Sequence, residues 1–272
     1  MSRLKLKRVL ITGAARGIGK VMAERFAAKG AELVLTDIQG ELLEETRAEL
    51  VEQGARCRAY VLDVTDVSAI AETRDRIHED LGKIDILVNN AGVVIGGPFL
   101  DVPVEKHQLT YRVNTEGPVL MTHAFLPDLL DGPSGHLVFI ASASGFVGLP
   151  NGTTYASSKW ASIGFAESIR AELKHQGHKH VDVTTVCPTY INTGMFEGVA
   201  PPKTTQLLDP GFVADKVVTA VEKRQIWVLE PWIVKITPFL KNCLPTSVSD
   251  FLSDAFGASK SMDRWSGHGP SN

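Results

Sequence analysis

The sequence predicts an α/β fold: a doubly wound parallel sheet in a three-layer α/β/α arrangement, built as a single domain. Three observations predict it. Short apolar runs alternate with helical stretches along most of the chain. The runs are continuously apolar, as strands buried on both faces are. Glycine and polar residues gather where the runs end, which is where open parallel sheets bind ligands. The 272 residues, 44% hydrophobic and 22% charged, suffice for one large core and exclude disordered, collagenous and coiled-coil chains.

Val9 to Ile11 reads as the first strand, closing in Thr12-Gly13 before a helix from about Gly17 to Lys29 that stops at Gly30. Leu33 to Leu35 is the second strand, ending at Asp37, and 41–52 an acidic helix. Tyr60 to Leu62 is the third strand, 66–81 a helix and Ile86 to Val88 the fourth strand, leading into Asn89-Asn90-Ala91-Gly92. One long helix is expected over about 103–130, then a strand from His136 to Ile140, a helix over 155–175 and a strand from Val181 to Val186. After an irregular stretch (188–210), a helix near 211–223 precedes a short strand, Ile226 to Leu229. The sheet domain is thus expected over 1–230, with a C-terminal extension at 231–272. Trp227, Trp232, Phe239 and Phe251 leave two readings of 226–256 open: a substrate lid or membrane-surface contact, and core or subunit packing. The tail Ser266 to Asn272, small and polar, is expected to be mobile.

A net charge of −3 excludes a basic field for nucleic acid or anionic lipid. Three scattered cysteines form neither a disulfide framework nor a zinc site. His175, His178 and His180 read as a solvated helix end, so no metal is expected. With no signal segment and no run long enough to span a membrane, the expectation is a cytoplasmic protein.

Gly13-x-x-x-Gly17-x-Gly19 joins the first strand to the first helix, where glycines let the backbone approach a pyrophosphate at a helix N-terminus. A packing turn without ligand is the bland alternative. Asp37, 18 residues after Gly19, is placed to accept hydrogen bonds from ribose hydroxyls and to repel a 2′-phosphate. It equally suits a helix N-cap. Arg16 pulls toward a 2′-phosphate, but the clash at Asp37 favours NAD(H) over NADP(H). Tyr155 and Lys159 share one helix face, where an ammonium would lower the phenol's pKa toward acid–base use. Ser142 precedes Tyr155 by thirteen residues, and Asn114 sits mid-helix, unfavourable unless its side chain has a task.

Together with Asp63-Val64 and Pro188…Thr193, these motifs resemble the short-chain dehydrogenase/reductase family over about 1–225. The resemblance implies a Rossmann fold, a nicotinamide cofactor and a catalytic set of Asn114, Ser142, Tyr155 and Lys159. By it, Tyr155 exchanges the proton with the substrate oxygen and Ser142 hydrogen-bonds that oxygen, with Ser144 its rival. Lys159 holds the nicotinamide ribose and acidifies Tyr155, and Asn114 anchors a relay water. It further implies cofactor contacts from Gly13, Arg16, Gly17, Ile18, Gly19, Asp37 and Ile38. Asp63 and Val64 would meet the adenine, Asn90, Ala91 and Gly92 the central part, and Pro188, Ile191 and Thr193 the carboxamide end. Thr189 stands where the family usually has glycine, and with Met195 it is expected near the substrate. The loop and apolar C-terminal region are similar to the retinol dehydrogenase and 17β-hydroxysteroid dehydrogenase subgroup. This implies a lipophilic alcohol or ketone as substrate and a homodimer or homotetramer through 103–130 and 155–175. The alternatives are an NADPH-dependent 3-oxoacyl reductase and a non-catalytic nucleotide sensor on the same fold.

Overall fold

The computed structural model describes residues 3–203 and 205–267. Each early strand is followed by a covering helix: β1 (Arg8–Thr12) by α1 (Gly17–Ala28), β2 (Glu32–Asp37) by α2 (Gly40–Glu52), β3 (Arg56–Val61) by α3 (Val67–Asp80). β4 (Ile86–Asn89) leads to α4 (Val104–Tyr111) and α5 (Gly117–Asp131), then β5 (Gly135–Ile140), α6 (Thr153–His175), β6 (Val181–Pro188), α7 (Pro210–Lys223) and β7 (Trp227–Glu230). The seven strands form one sheet in the order β3-β2-β1-β4-β5-β6-β7, every pair parallel.

Alternation along β1 shows how the sequence covers both faces. Val9 and Ile11 pack with Met22, Phe26 and Val213 beneath α1 and α7, while Leu10 packs with Phe125, Leu129 and Leu137 on the other side. All three β1 residues are fully buried. The chain runs outward from β1 to β3, then restarts at β4 on the opposite side. The order therefore reverses between β1 and β4, opening a crevice at their carboxyl ends.

Two expectations are corrected, and two C-terminal segments gain detail. The third strand is Arg56–Val61, earlier than Tyr60 to Leu62, because Arg56 and Arg58 lie exposed on this edge strand and hide its pattern. The helix expected over 103–130 is broken at Arg112–Glu116 by a π-helical turn that contains Asn114. The proline-interrupted segment after β7 forms two helices, α8 (Ile233–Cys243), with Pro238 inside it, and α9 (Thr246–Phe256), which begins after Pro245. Ser266 N donates to the Glu197 carbonyl at 3.0 Å. Residues 268–272 lie outside the described residues.

Candidate active site

The crevice floor is made by two turns stapled together. The buried Thr12 hydroxyl accepts from the N–H groups of Asn90 (3.0 Å) and Ala91 (2.9 Å). Asn90 Nδ2 donates back to the carbonyls of Thr12 (2.8 Å) and Gly13 (2.9 Å). Only glycine fits here: a Cβ on Gly13 would lie 2.8 Å from Ala91 Cα, and one on Gly19 would lie 2.0 Å from the Gly13 carbonyl oxygen. Thr12 opens the glycine motif in the sequence, and the structure shows that its hydroxyl joins the two turns.

Three observations test whether these residues fit a dinucleotide. Arg16, the exposed N-cap of α1, gives no side-chain hydrogen bond to the helix start, whose N–H groups face the crevice as an anion site. The Asp37 carboxylate caps the crevice's outer end, accepting from Ala15 N and Gln39 N, both at 3.0 Å. The Thr189 hydroxyl is buried without a hydrogen-bond partner among the described residues. A buried donor left unpaired is costly unless a ligand meets it. The residues fit the group.

The remaining expected contacts divide. Gly17 approaches Thr193, so the loop after β6 closes over the glycine turn. Gly92 lies beside Asn114 and Lys159: a Cβ there would be 3.3 Å from Asn114 Oδ1 and 3.7 Å from Lys159 Nζ. Asp63 is engaged with Thr65, accepting from its N–H and its hydroxyl at 2.8 Å. Val64 is buried, Ile38 exposed, Ile18 packed on the core. Pro188 ends β6 beside Glu230 of β7. Ile191 turns its side chain into the core with Leu208, leaving its main chain toward the loop.

Tyr155 and Lys159 lie on the buried face of α6, as their spacing predicts. Lys159 Nζ donates to the Ile140 carbonyl at 2.8 Å and sits 5.8 Å from the Tyr155 ring centroid. A 3-10 turn, Ala143–Gly145, carries Ser142 against α6, and Gly145 makes this possible because a Cβ would stand 2.9 Å from the Lys159 carbonyl oxygen. Ser142 Oγ accepts from Ser144 Oγ at 3.0 Å, which makes Ser144 a support behind Ser142. Asn114 Oδ1 accepts from Val93 N at 2.8 Å, and its amide donates to the Val93 carbonyl and to Ser158 Oγ. The four residues are all buried and converge.

Burial shifts the pKa of both Tyr155 and Lys159. Burial lifts the Tyr155 phenol above its ordinary value, and a hydrogen bond with Ser142 pulls only partly the other way. Lys159, expected to lower it, is itself lowered by burial from 10.5 to about 8. The unfolded chain therefore holds this lysine's proton more tightly between about pH 8 and 10.5, and stability from this group rises with pH across that window. Lys159→Met should lose that gain, about 3 kcal/mol at most. Denaturant titrations from pH 7.5 to 10 would show the wild type gaining on the variant. Parallel curves would contradict the lowered lysine.

An apolar wall stands over Tyr155. Phe196 meets its ring edge-on at 5.9 Å and Tyr190 at 5.1 Å. Leu149, Met262 and Trp265 complete the cluster. Met195, expected at the substrate, offers its carbonyl to Trp265 Nε1 at 3.2 Å, and its neighbour Phe196 takes the place beside Tyr155. Residues 258–266 form a strap fastened by Tyr190 Oη–Ser261 Oγ (2.7 Å), Ala200 N to the Ser261 carbonyl (3.0 Å) and Asn151 Nδ2 to Asp263 (3.0 Å). Phe196 and Trp265 escaped the sequence reading, though a tryptophan among small polar residues was a usable signal.

Residues 7–203 match the family model described as short chain dehydrogenase. The chain is 37% identical over 258 residues to epidermal retinol dehydrogenase 2 of Homo sapiens, covering 94% of this chain and 84% of that relative. In structure it is similar to a short chain dehydrogenase/reductase from Burkholderia phymatum in complex with NAD (TM-score 0.81, 26% identity, 89% and 95% of the two chains covered). It is also similar to an alcohol dehydrogenase from the archaeon Thermococcus sibiricus complexed with 5-hydroxy-NADP (TM-score 0.73, 27% identity, 82% and 94% covered). No helix among the described residues is long and apolar enough to cross a membrane.

Proposed function

The chain belongs to the short-chain dehydrogenase family, and we propose that within it this protein is an NAD(H)-dependent oxidoreductase interconverting a lipophilic alcohol and its carbonyl compound. The observation that carries the reading is a buried phenol, Tyr155, set between Lys159, Ser142 and an apolar wall. The retinol named in the human relative supports the lipophilic class.

The nicotinamide, when bound, supplies the hydride acceptor or donor. The chain supplies the rest. Ser142 Oγ, steadied by Ser144, is the group that orients the substrate oxygen. Tyr155 Oη takes that oxygen's proton during oxidation and returns it during reduction, a service generally worth about 10²–10⁴-fold. Lys159, held by the Ile140 carbonyl beside Gly92, would present its ammonium to the ribose of the bound cofactor. Asn114, locked to Val93, keeps this end of the crevice from collapsing. Phe196, Met262 and Trp265 exclude water and favour a hydrophobic substrate. The buried, unpaired Thr189 hydroxyl would be available to donate to the cofactor or the substrate. Exposed Leu109, Tyr111 and Val119 support pairing of two copies through α4 and α5.

The NAD(H) preference rests on Asp37, whose charge a 2′-phosphate would meet at the end of β2. Absorbance at the reduced-nicotinamide band, with NAD⁺ and NADP⁺ each run against retinoid, steroid and aliphatic alcohols, tests both parts. Wild type is expected to turn over lipophilic alcohols with NAD⁺. Asp37→Ser should shift kcat/KM toward NADP⁺ by about tenfold or more, since like-charge juxtaposition costs several kcal/mol. A wild type that prefers NADP⁺ would show Arg16 outweighing Asp37, and turnover confined to small polar alcohols would overturn the substrate class.

A further inference from the structure

The end of α6 farthest from Tyr155 borders a cavity of about 140 Å³, between the start of β6 and the α7–β7 connection. Arg170, fifteen residues along the helix from Tyr155, is about 22 Å from it. Its lining is strongly unbalanced in charge. Arg170, Lys174, His178, Lys179 and Arg224 face one acid, Asp182. That acid is already taken, because Arg224 Nε donates to Asp182 Oδ2 at 3.0 Å. Arg170, Lys174 and Lys179 have no carboxylate partner among the described residues, and Arg170 Nε is buried with no acceptor. In a chain with net charge −3, this is a local concentration of uncompensated cations.

A buried guanidinium N–H without an acceptor is rare, because its desolvation is repaid only by an acceptor. The set also has a definite chemistry. Arg170 offers a planar fork suited to two oxygens of one tetrahedral group, and two ammonium groups beside it balance a double negative charge. Arg224, bonded to Asp182, neutralises the one group that would repel an anion. We propose that this cavity binds a phosphoryl dianion, as inorganic phosphate or as the phosphate of a small metabolite. Lys174 and Lys179 are exposed and give access from solvent. The bound anion would tie the end of α6 to β6 and to the α7–β7 connection, stabilising the fold by mass action.

Thermal unfolding and titration calorimetry with inorganic phosphate test this, at fixed ionic strength against chloride and with NADH saturating so that the glycine turn does not compete. The expected result is a saturable rise in Tm and one phosphate per chain. Arg170→Gln, and independently Lys174→Gln with Lys179→Gln, should each weaken binding about tenfold or more, the loss expected for a charge-assisted hydrogen bond. The paired lysine variant changes only exposed side chains, so it decides the matter if Arg170→Gln fails to fold. Tighter binding of glycerol 3-phosphate than of phosphate would identify an organic phosphate as the ligand, and the reverse order the free ion. A rise no greater than with chloride, or an equal rise in the lysine variant, would overturn the site.

Discussion

Tyr155→Phe is expected to fold, to bind NADH and to lose turnover by about 10³-fold or more. The size follows from what is removed. In the proposed site Tyr155 is the group that exchanges a proton with the substrate oxygen, between Ser142 and the Phe196 ring, and general acid–base catalysis is worth about 10²–10⁴-fold. Folding survives because the ring's packing against Phe196, Leu149 and Met262 is kept. Exchanging a buried hydroxyl for hydrogen alters stability by only about 1 kcal/mol. Stopped absorbance assays paired with NADH fluorescence titration would separate the two effects. Residual activity within tenfold of wild type would remove Tyr155 from the chemistry and return the nucleotide-sensing alternative.

Gly19→Ala should weaken cofactor binding by about 100-fold and lower Tm by several degrees. The added Cβ falls 2.0 Å from the Gly13 carbonyl oxygen and 2.7 Å from Asn90 Nδ2, so it collides with both members of the staple joining the two turns. No flexible side-chain end is available to yield at the first contact. The backbone must move by roughly an ångström, a misplacement that typically costs about 10²-fold in a positioned site. Overpacking of this kind costs about 1–3 kcal/mol, or roughly 2–4 °C per kcal/mol in a chain of this size. Calorimetric titration with NADH and thermal unfolding check both numbers. An unchanged affinity would mean that the glycine turn is only a packing device.

The buried strands and their covering helices were legible because a sheet covered on both faces demands unbroken apolar runs, as at Val9 to Ile11 and Ile86 to Val88. The edge strand at Arg56–Val61 was read late because one side of it faces solvent and its arginines mask the pattern. Tyr155 and Lys159 were legible because helical periodicity alone puts them on one face. The π-helical turn at Asn114 was not, since no residue pattern distinguishes an i→i+5 turn from the helix around it. The substrate wall was hidden for another reason: Phe196 and Trp265 are far apart in sequence and meet only through the strap's hydrogen bonds to the loop after β6. Electrostatic balance was the least legible of all. Burial, which sequence does not display, raises the Tyr155 phenol and lowers Lys159.

The strap also bears on how the protein comes into being on the ribosome. The glycine turn and its staple, from Thr12 to Gly92, emerge in about the first third of the chain, and the Thr193 loop that closes over them follows about a hundred residues later. The wall over Tyr155 waits for Met262 and Trp265, which come out more than a hundred residues after Tyr155 itself. Once Thr193 has emerged, a nascent chain carries the residues of the cofactor crevice before those of the wall. Translation stalled before residue 258 would leave the crevice without the strap that covers Tyr155.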